Sequence, residues 1–257
     1  MTKVDHKPDL IPDDLITSVN LTGERDRKFS TRVYATPLKI YKNRLHSLKM
    51  ENKKIVLDAG CGFGQWSVAL SDLNAEVYAI DIDFNHVHVT KIVSKSTNRK
   101  NISYFSGSIE DLPFHDNMFD AIFSYSVILF TDFKKSIREF YRVLKPNGIV
   151  YIGTNGIGWY LNCILTNRHS TSDFNVRKWA FDAILASIKY AFTGKLKKGA
   201  SLVMSPKSLS TYLKSVGFRN IVCAPDGKIR LKDIEVKSFY PAKYLGLTNV
   251  FEVLAEK

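Results

Sequence analysis

The stretch Ile55–Gly64, IVLDAGCGFG, decides the fold of this chain. It opens with aliphatic residues typical of a buried strand and ends in glycines at alternate positions. The following segment, Gln65–Leu73, has the composition of a helix. Glycine permits a tight turn and lets a ligand lie against bare main chain, while a helix start offers unpaired N–H groups. The sequence therefore predicts strand, loop and helix with a cofactor at the loop, although an ordinary strand-to-helix turn would also explain the glycines alone.

Two carboxylates narrow the identity of that cofactor. Asp81 ends the next predicted strand, where a carboxylate can accept both hydroxyls of a ribose. The glycines run G-x-G-x-G, one residue shorter than the dinucleotide pattern, and Asp58 would place negative charge where a pyrophosphate should lie. A carboxylate suits the methionyl ammonium of S-adenosylmethionine instead. We therefore predict S-adenosylmethionine, with a nicotinamide dinucleotide and an oxidoreductase as the weaker alternative.

Strands and helices alternate outward from this loop. Strands are predicted at Glu76–Asp81, Ile102–Ser106, Phe119–Tyr125 and Ile149–Gly153, and helices at Asn85–Ser96 and Asp132–Leu144. Upstream, the apolar spacing predicts one amphipathic helix over Thr31–Met50, after irregular structure over residues 1–28. This alternation predicts an α/β fold with a doubly wound, mostly parallel sheet.

The chain divides into four segments in this interpretation. Residues 1–50 form an N-terminal segment with the leading helix, and 51–154 form the cofactor-binding core. Residues 155–205 break the alternation with a glycine- and aromatic-rich stretch and a further helix, which we interpret as an inserted substrate cap. Residues 206–257 complete the sheet, with a helix bracketed by Ser205 and Gly217 and two strands, Phe218–Ala224 and Asn249–Glu256.

Four stretches together resemble the class I S-adenosylmethionine-dependent methyltransferases, within them the type 11 group related to quinone-biosynthesis methyltransferases. They are Val56–Gly64, Tyr78–Asp83, Gly107–Phe114, and Phe119–Asp120 followed by Arg142–Gly148. They occur in the order that the family has, which is more specific than any one motif. The resemblance implies a Rossmann-like fold and a methyltransferase activity.

The resemblance also implies which residues contact the cofactor. Main-chain atoms of Gly60, Cys61 and Gly62 would line the methionine and the ribose. The other implied contacts are Asp81 to the ribose, Ile82 to the adenine face, Ser108, Ile109 and Glu110 to the adenine edge, and the carbonyl of Ser124 to the methionyl ammonium.

Two positions depart from the family pattern. Many relatives place Asp at the position of Ser108, so adenine N6 would lose a charged acceptor and rely on a hydroxyl or on Glu110. Phe130 stands where relatives often have His, which excludes an acid/base role at that position.

The net charge of the chain indicates only broad chemical classes for the methyl acceptor. The chain has 37 Lys and Arg against 25 Asp and Glu, a net charge of +12, and the excess lies in the flanks of the core. A basic rim would attract an acidic or phosphorylated metabolite, an anionic membrane surface or nucleic acid. We predict a small-molecule acceptor, either a metabolite, a sugar or glycan precursor, or a lipid-like quinone. RNA or protein methylation and non-catalytic S-adenosylmethionine binding are the alternatives, and nucleic acid is not favoured because no dense basic tract with interleaved aromatics occurs.

No catalytic base is assigned from the sequence. The reaction is an in-line displacement that mainly needs alignment, and only a hydroxyl acceptor would also need a base. The side chains worth testing are Tyr34, Tyr125, Tyr160 and His169.

Metal binding and membrane insertion are not expected. The three cysteines, Cys61, Cys163 and Cys223, are too far apart for a zinc motif or a C-x-x-C pair. No apolar run approaches 18 residues, and Met1–Asn20 lacks the apolar stretch of a secretory signal. We therefore predict a cytoplasmic protein without a membrane span, and its oligomeric state stays open.

Overall fold

The computed structural model describes residue 21 and residues 23–257 of the chain. Most of the segment predicted to be irregular, residues 1–20 and 22, lies outside the described residues. The prediction is wrong for residues 24–28, because helix α1 spans Glu24–Tyr34. Glu24 and Asp26 lie in its first turn, where negative charge interacts favourably with the helix dipole.

The single leading helix predicted over Thr31–Met50 is also wrong. Helix α1 ends at Tyr34 and helix α2 spans Leu38–Ser47. Pro37 lies between them; a proline lacks the N–H needed to continue a helix, and it disfavours helical backbone in the preceding residue. The predicted apolar face is nevertheless buried, with Tyr34 and Leu38 both 1% exposed.

Within the described residues, seven strands form one sheet in the order β3-β2-β1-β4-β5-β9-β6. The strands are β1 Ile55–Ala59, β2 Glu76–Asp81, β3 Ile102–Ser106, β4 Phe119–Tyr125, β5 Leu144–Asn155, β6 Arg219–Pro225 and β9 Val250–Glu256. Strands β1 to β5 pair in parallel, and β9 is antiparallel to both β5 and β6. The predicted doubly wound, mostly parallel sheet is confirmed.

Helices cover both faces of the sheet. They are α3 Gln65–Ser71, α4 Phe84–Ser96, α5 Phe133–Val143, α6 Ile157–Thr166, α7 Val176–Thr193 and α8 Pro206–Val216, with a 3₁₀ turn at Ile128–Phe130 and a hairpin of β7 Lys243–Tyr244 and β8 Leu247–Thr248. Successive strand residues point to opposite faces, so Val56 belongs to one apolar cluster and Leu57 to the other. None of the described helices is both long and apolar enough to cross a membrane.

The segment after β5 has a small apolar cluster of its own. Helices α6 and α7 pack together around buried side chains, namely Tyr160, Cys163, Val176, Ala180 and Ala183. The loop between them also reaches α1, where the backbone N–H of Arg25 donates to Asp173 and the hydroxyl of Ser172 donates to Glu24. The leading helix therefore connects this segment to the core.

Candidate functional site

The glycine loop between β1 and α3 forms an open cradle. Gly60 has φ +90°, and a Cβ there would lie 2.2 Å from a methyl group of Val127. Gly62 has φ +52°, and a Cβ there would meet no atom within 4 Å. Positive φ favours glycine at both positions, but for Gly62 the space above the backbone is open. A ligand can therefore approach the main chain closely at Gly62.

The N–H groups of this loop bind mainly to the end of β2. Those of Gly60 and Cys61 both donate to the carbonyl of Ile80, at 2.8 and 2.9 Å, and that of Gly62 donates to Oδ2 of Asp81 at 3.0 Å. These bonds hold the loop shape before any ligand arrives. They also place the Asp81 carboxylate directly beside the open face of Gly62.

Asp81 is held as a carboxylate. Burial alone would raise its pKa, but the nearby imidazole of His86 and hydrogen bonds from the backbone N–H groups of Asp83 and Gly62 outweigh burial and lower the pKa below its usual value. Nδ1 of His86 lies 3.6 Å from Oδ1 of Asp81, and the neighbouring carboxylates raise the pKa of His86 in spite of its burial. The end of β2 therefore presents an ionised acceptor, which suits a pair of ribose hydroxyls.

Asp58 is the buried carboxyl group of the site. It is 1% exposed, and its Oδ2 accepts a hydrogen bond of 2.5 Å from the hydroxyl of Ser67 in α3. Burial raises its pKa to about 7, the Ser67 hydroxyl opposes that shift, and the charge of Asp81 adds to it. A cation bound nearby would favour the ionised form of Asp58.

The ends of β2 and β3 carry the residues that the resemblance assigns to adenine. Ile82 is 72% exposed, whereas Ile109 is buried. The hydroxyl of Ser108 accepts from the N–H of Glu110, and the Glu110 carboxylate accepts from the N–H of Asp132 at the start of α5. Since the Glu110 side chain is directed to α5, the polar side chain left for an adenine edge is Ser108.

Ser124 lies at the end of β4, beside β1. It is fully buried, and its hydroxyl donates to the carbonyl of Ala59 at 2.9 Å. All the residues that the sequence analysis assigned to the cofactor therefore lie at or near the carboxyl edge of β1 to β4. They are Asp58, Gly60, Cys61, Gly62, Asp81, Ile82, Ser108, Ile109, Glu110 and Ser124.

A cavity of about 150 Å³ opens next to this edge, and we call it the aromatic pocket. Its lining residues come from α1, α2, the start of α3, the end of β4 and the C-terminal segment. They are Phe29, Arg32, Val33, Thr36, Tyr41, Gln65, Trp66, Tyr125, Ser126, Phe239 and Tyr240. The region from 155 to 205 supplies no lining residue and touches the pocket from outside, where Trp159 packs edge-on against Tyr240 at 5.1 Å.

The side-chain oxygen of Gln65, in the pocket lining, is buried without a hydrogen-bond donor among the described residues. The residue as a whole is 8% exposed. A buried carbonyl oxygen without a donor costs about 1–3 kcal/mol. Sequence reasoning missed Gln65 and Trp66, although they follow Gly64 directly and could have been included in the loop.

Of the four side chains that the sequence analysis proposed as catalytic candidates, one lines the pocket and three lie elsewhere. Tyr125 lines the aromatic pocket. The hydroxyl of Tyr34 donates to the carbonyl of Phe63, that of Tyr160 donates to the carbonyl of Leu202, and the ring of His169 stacks on Trp159. Tyr34 and Tyr160 therefore hold the fold together.

The pocket lining contains no histidine, aspartate or glutamate among the described residues. Burial raises the pKa of its tyrosines, to about 12 for Tyr41 and well above the usual value for Tyr125. These phenols stay neutral near pH 7 and are poor proton acceptors. The described residues also contain no group of His, Cys, Asp or Glu that could hold a metal ion.

The comparison with protein families decides the nature of the core. Residues 57–152 match the family described as methyltransferase domain. This part of the chain is a methyltransferase domain. The resemblance to S-adenosylmethionine-dependent methyltransferases is thereby confirmed, and S-adenosylmethionine is the methyl donor of this domain.

Curated relatives of the methyltransferase domain include a demethylmenaquinone methyltransferase of Geobacillus stearothermophilus. The identity is 28% over 134 residues, which are 51% of this chain and 57% of the relative. A demethylmenaquinone methyltransferase of Listeria welshimeri is 29% identical over 127 residues, covering 48% of this chain and 54% of the relative. The chain thus spans little more than half the length of the curated relatives it matches.

Solved structures share the fold over most of the chain. A protein of Thermotoga maritima, described as a possible histamine N-methyltransferase, has a TM-score of 0.55 at 18% identity and covers 91% of this chain and 97% of its own. At this identity the likeness shows the fold alone, which includes the sheet around the methyltransferase domain.

Proposed function

We propose that this chain transfers the methyl group of S-adenosylmethionine to a small planar acceptor bound in the aromatic pocket. The observation that carries the proposal is the position of this pocket. Gln65 and Trp66 directly follow the glycine loop, and Tyr125 and Ser126 directly follow Ser124 at the end of β4. Two backbone segments that border the cradle, the glycine loop and the end of β4, thus continue directly into the walls of the pocket.

The donor would be held by the residues at the carboxyl edge of β1 to β4. The open backbone at Gly62 supports this assignment, as do the ionised Asp81 beside it and the exposed side chain of Ile82. Asp58 and the Ser124 carbonyl would share the methionyl ammonium, and the Ser108 hydroxyl would serve the adenine edge. S-adenosylmethionine, when bound, supplies a methyl group already activated by the positive sulfur.

The pocket walls favour a ring-shaped acceptor. Six aromatic side chains line a volume similar to cavities that hold one benzene-sized ring. A sugar would need several polar partners, and three hydroxyls of the lining, those of Thr36, Tyr41 and Tyr125, already donate to other groups of the chain. The guanidinium of Arg32 lies 5.0 Å from the ring centre of Phe29, on the pocket side of α1, where it can attract an acidic or enolate oxygen. These features, together with the activity for which the relatives are named, support a quinone-like acceptor over a sugar or glycan precursor.

The absence of a carboxylate or imidazole among the described lining residues bears on the reaction. The hydroxyl of Tyr125 donates to Asp226 at 2.9 Å, which leaves the phenol oxygen able to accept a hydrogen bond from the methyl acceptor. Because its pKa is raised, the phenol keeps its own proton and cannot remove one from the acceptor. Catalysis would therefore consist of alignment and water exclusion, which together contribute several kcal/mol. An activated carbon or an amine, which needs no protein base, fits such a pocket better than an aliphatic hydroxyl.

The proposal also includes the division of the chain into four segments and its location in the cell. Residues 155–205 would act as a cap that borders the pocket through Trp159, while α1 and α2 supply much of its wall. The location we propose is the cytoplasm.

The test is a transfer assay with methyl-labelled S-adenosylmethionine and the full chain. Three acceptors are compared, namely a reduced short-chain demethylmenaquinone, a sugar nucleotide and bulk RNA. The proposal expects label in the quinol alone, and loss of that label in Asp81→Ala. Label in RNA, or binding of the donor without transfer to any of the three, would contradict it.

A further inference from the structure

Helix α7 has apolar residues on opposite sides. One side is buried through Val176, Ala180 and Ala183. The other side exposes a row at helical spacing, consisting of Phe181, Leu185, Ile188 and Phe192, with exposures of 56%, 50%, 52% and 87%. A helix that is apolar all round is normally covered all round, and here the described chain covers only one side.

A fifth exposed apolar residue extends this row. Leu165, at the end of α6, is 56% exposed, and a guanidinium nitrogen of Arg177 lies 3.5 Å from its carbonyl oxygen. Since Arg177 is in the first turn of α7, Leu165 continues the row beyond the start of that helix. We call Leu165 and the row on α7 the apolar face of the cap.

Positive charge borders this face. Residues 176–198 contain six basic side chains and one acidic side chain. The acidic one, Asp182, is paired with Lys178 at 2.5 Å. Lys189 lies one position from Ile188, and Lys195, Lys197 and Lys198 lie three, five and six positions after Phe192. The apolar face is therefore bordered by cations at its carboxyl end.

This charge pattern selects among the possible occupants. In a symmetric contact between two copies, the lysines after Phe192 would lie against the same lysines of the other chain if the helices were parallel, and near its Arg177 and Lys178 if they were antiparallel. Like charges would oppose association in both arrangements. Nucleic acid would suit the lysines but would leave the aliphatic side chains without a partner. An anionic bilayer satisfies both parts, because its hydrocarbon accepts the apolar row and its headgroups attract the lysines.

We propose that α7 is a membrane-docking element that lies in the surface of an anionic lipid bilayer, with Phe192 inserted and the lysines after it among the headgroups. The arrangement is that of an interfacial helix, which rests on a membrane without crossing it. The proposal does not depend on the identity of the methyl acceptor, since it concerns a different surface of the chain.

The test is sedimentation of the full chain with vesicles of phosphatidylcholine, prepared with and without phosphatidylglycerol. We expect binding to the anionic vesicles only, weakened by salt because the headgroup attraction is screened. The double variant Leu185→Ser, Phe192→Ser should reduce the partition coefficient by about tenfold or more, since each inserted side chain contributes through its buried area. Replacing Lys195, Lys197 and Lys198 by Gln should remove the preference for phosphatidylglycerol.

A matched control comes from another exposed leucine. Leu231 is 43% exposed and its N–H donates to the carbonyl of Ser47, outside the apolar face, so Leu231→Ser should bind vesicles like the natural chain. Thermal melting of each variant checks that the fold is intact. No vesicle binding, or equal binding by the double variant, would overturn the proposal. It would equally fail if light scattering showed a dimer that the double variant abolishes, because the face would then join two copies.

Discussion

The hydroxyl of Tyr125 donates to Oδ1 of Asp226 at 2.9 Å, joining the end of β4 to a residue 101 positions later in the chain. Asp226 also accepts hydrogen bonds from the two terminal guanidinium nitrogens of Arg44, at 2.5 and 3.2 Å, and from the N–H of Phe239 at 2.5 Å. Arg44 and Asp226 are each 1% exposed. A buried ion pair therefore fixes the relative positions of α2, β4 and the C-terminal segment, which are three walls of the aromatic pocket.

Removing Arg44 should unfold much of this arrangement. Arg44→Met leaves the buried Asp226 without its cation, and breaking one partner of a buried pair costs about 3–5 kcal/mol. The free energy of unfolding from urea titration measures this loss. Arg44→Lys keeps the charge but loses the bidentate contact, so its free energy of unfolding should lie between those of the natural chain and Arg44→Met. A loss below about 1 kcal/mol for Arg44→Met would contradict the role given to the pair.

Asp58 should make the ligand-free protein less stable at higher pH. Its pKa is raised from 3.8 to about 7 in the folded chain, so the folded state holds the proton more tightly than the unfolded state. The stability from this proton is fully present below the unfolded pKa and is lost as the pH rises through the folded pKa. One pKa unit corresponds to about 1.4 kcal/mol, so the loss by pH 8 reaches up to about 4 kcal/mol.

The variant Asp58→Asn tests that linkage. It should unfold at a higher temperature than the natural chain at about pH 8, with the difference vanishing towards pH 4. The same variant should bind S-adenosylmethionine more weakly, because the amide cannot offer a charge to the ammonium. A stability difference that is constant across this range would show that Asp58 does not titrate as described.

Gln65 should matter for the acceptor more than for stability. Gln65→Met nearly keeps the volume and removes a buried oxygen that lacks a donor, so stability should be unchanged or rise by about 1 kcal/mol. If the acceptor supplies the missing donor, KM for the acceptor should rise about tenfold while the affinity for S-adenosylmethionine stays constant. Steady-state kinetics and a donor titration separate the two. A weaker donor affinity with unchanged acceptor KM would assign Gln65 to the methionine end instead.

Asp81 and Asp83 offer a matched pair for the ribose contact. Asp81→Ala should abolish the rise in melting temperature that S-adenosylmethionine produces, since the ribose loses its acceptor. Asp83 caps α4 by accepting the N–H of Asn85, so Asp83→Ala should cost about 1 kcal/mol of stability and keep the ligand-induced rise. Equal ligand-induced shifts in both variants would exclude the ribose role of Asp81.

The core of the fold was predictable because its signals are local. The bounds of β2, β3 and β4 agree with the sequence prediction, since each strand is an apolar run that ends at a turn. A leading helix was predicted over Thr31–Met50, but its break into two helices was missed, because apolar spacing continues through Pro37 and the missing N–H outweighs that spacing. Strand β5 extends beyond the predicted Ile149–Gly153 at both ends, across a Pro-Asn-Gly turn signal at its start.

The cradle was predictable and the aromatic pocket was not. Glycines and carboxylates near strand ends carry a recognisable pattern, whereas the pocket depends on pairs distant in sequence. Arg44 and Asp226 are 182 residues apart, and no periodicity connects them. The burial of Gln65 likewise follows from how α1 and α2 cover the loop, which only the folded chain reveals.

The most direct measurement is a calorimetric titration of the full chain with S-adenosylhomocysteine and, separately, with NAD. Our account predicts saturable binding of the sulfur nucleoside at one site, lost in Asp81→Ala, and no heat of binding with the dinucleotide. Binding of NAD with no response to S-adenosylhomocysteine would contradict it.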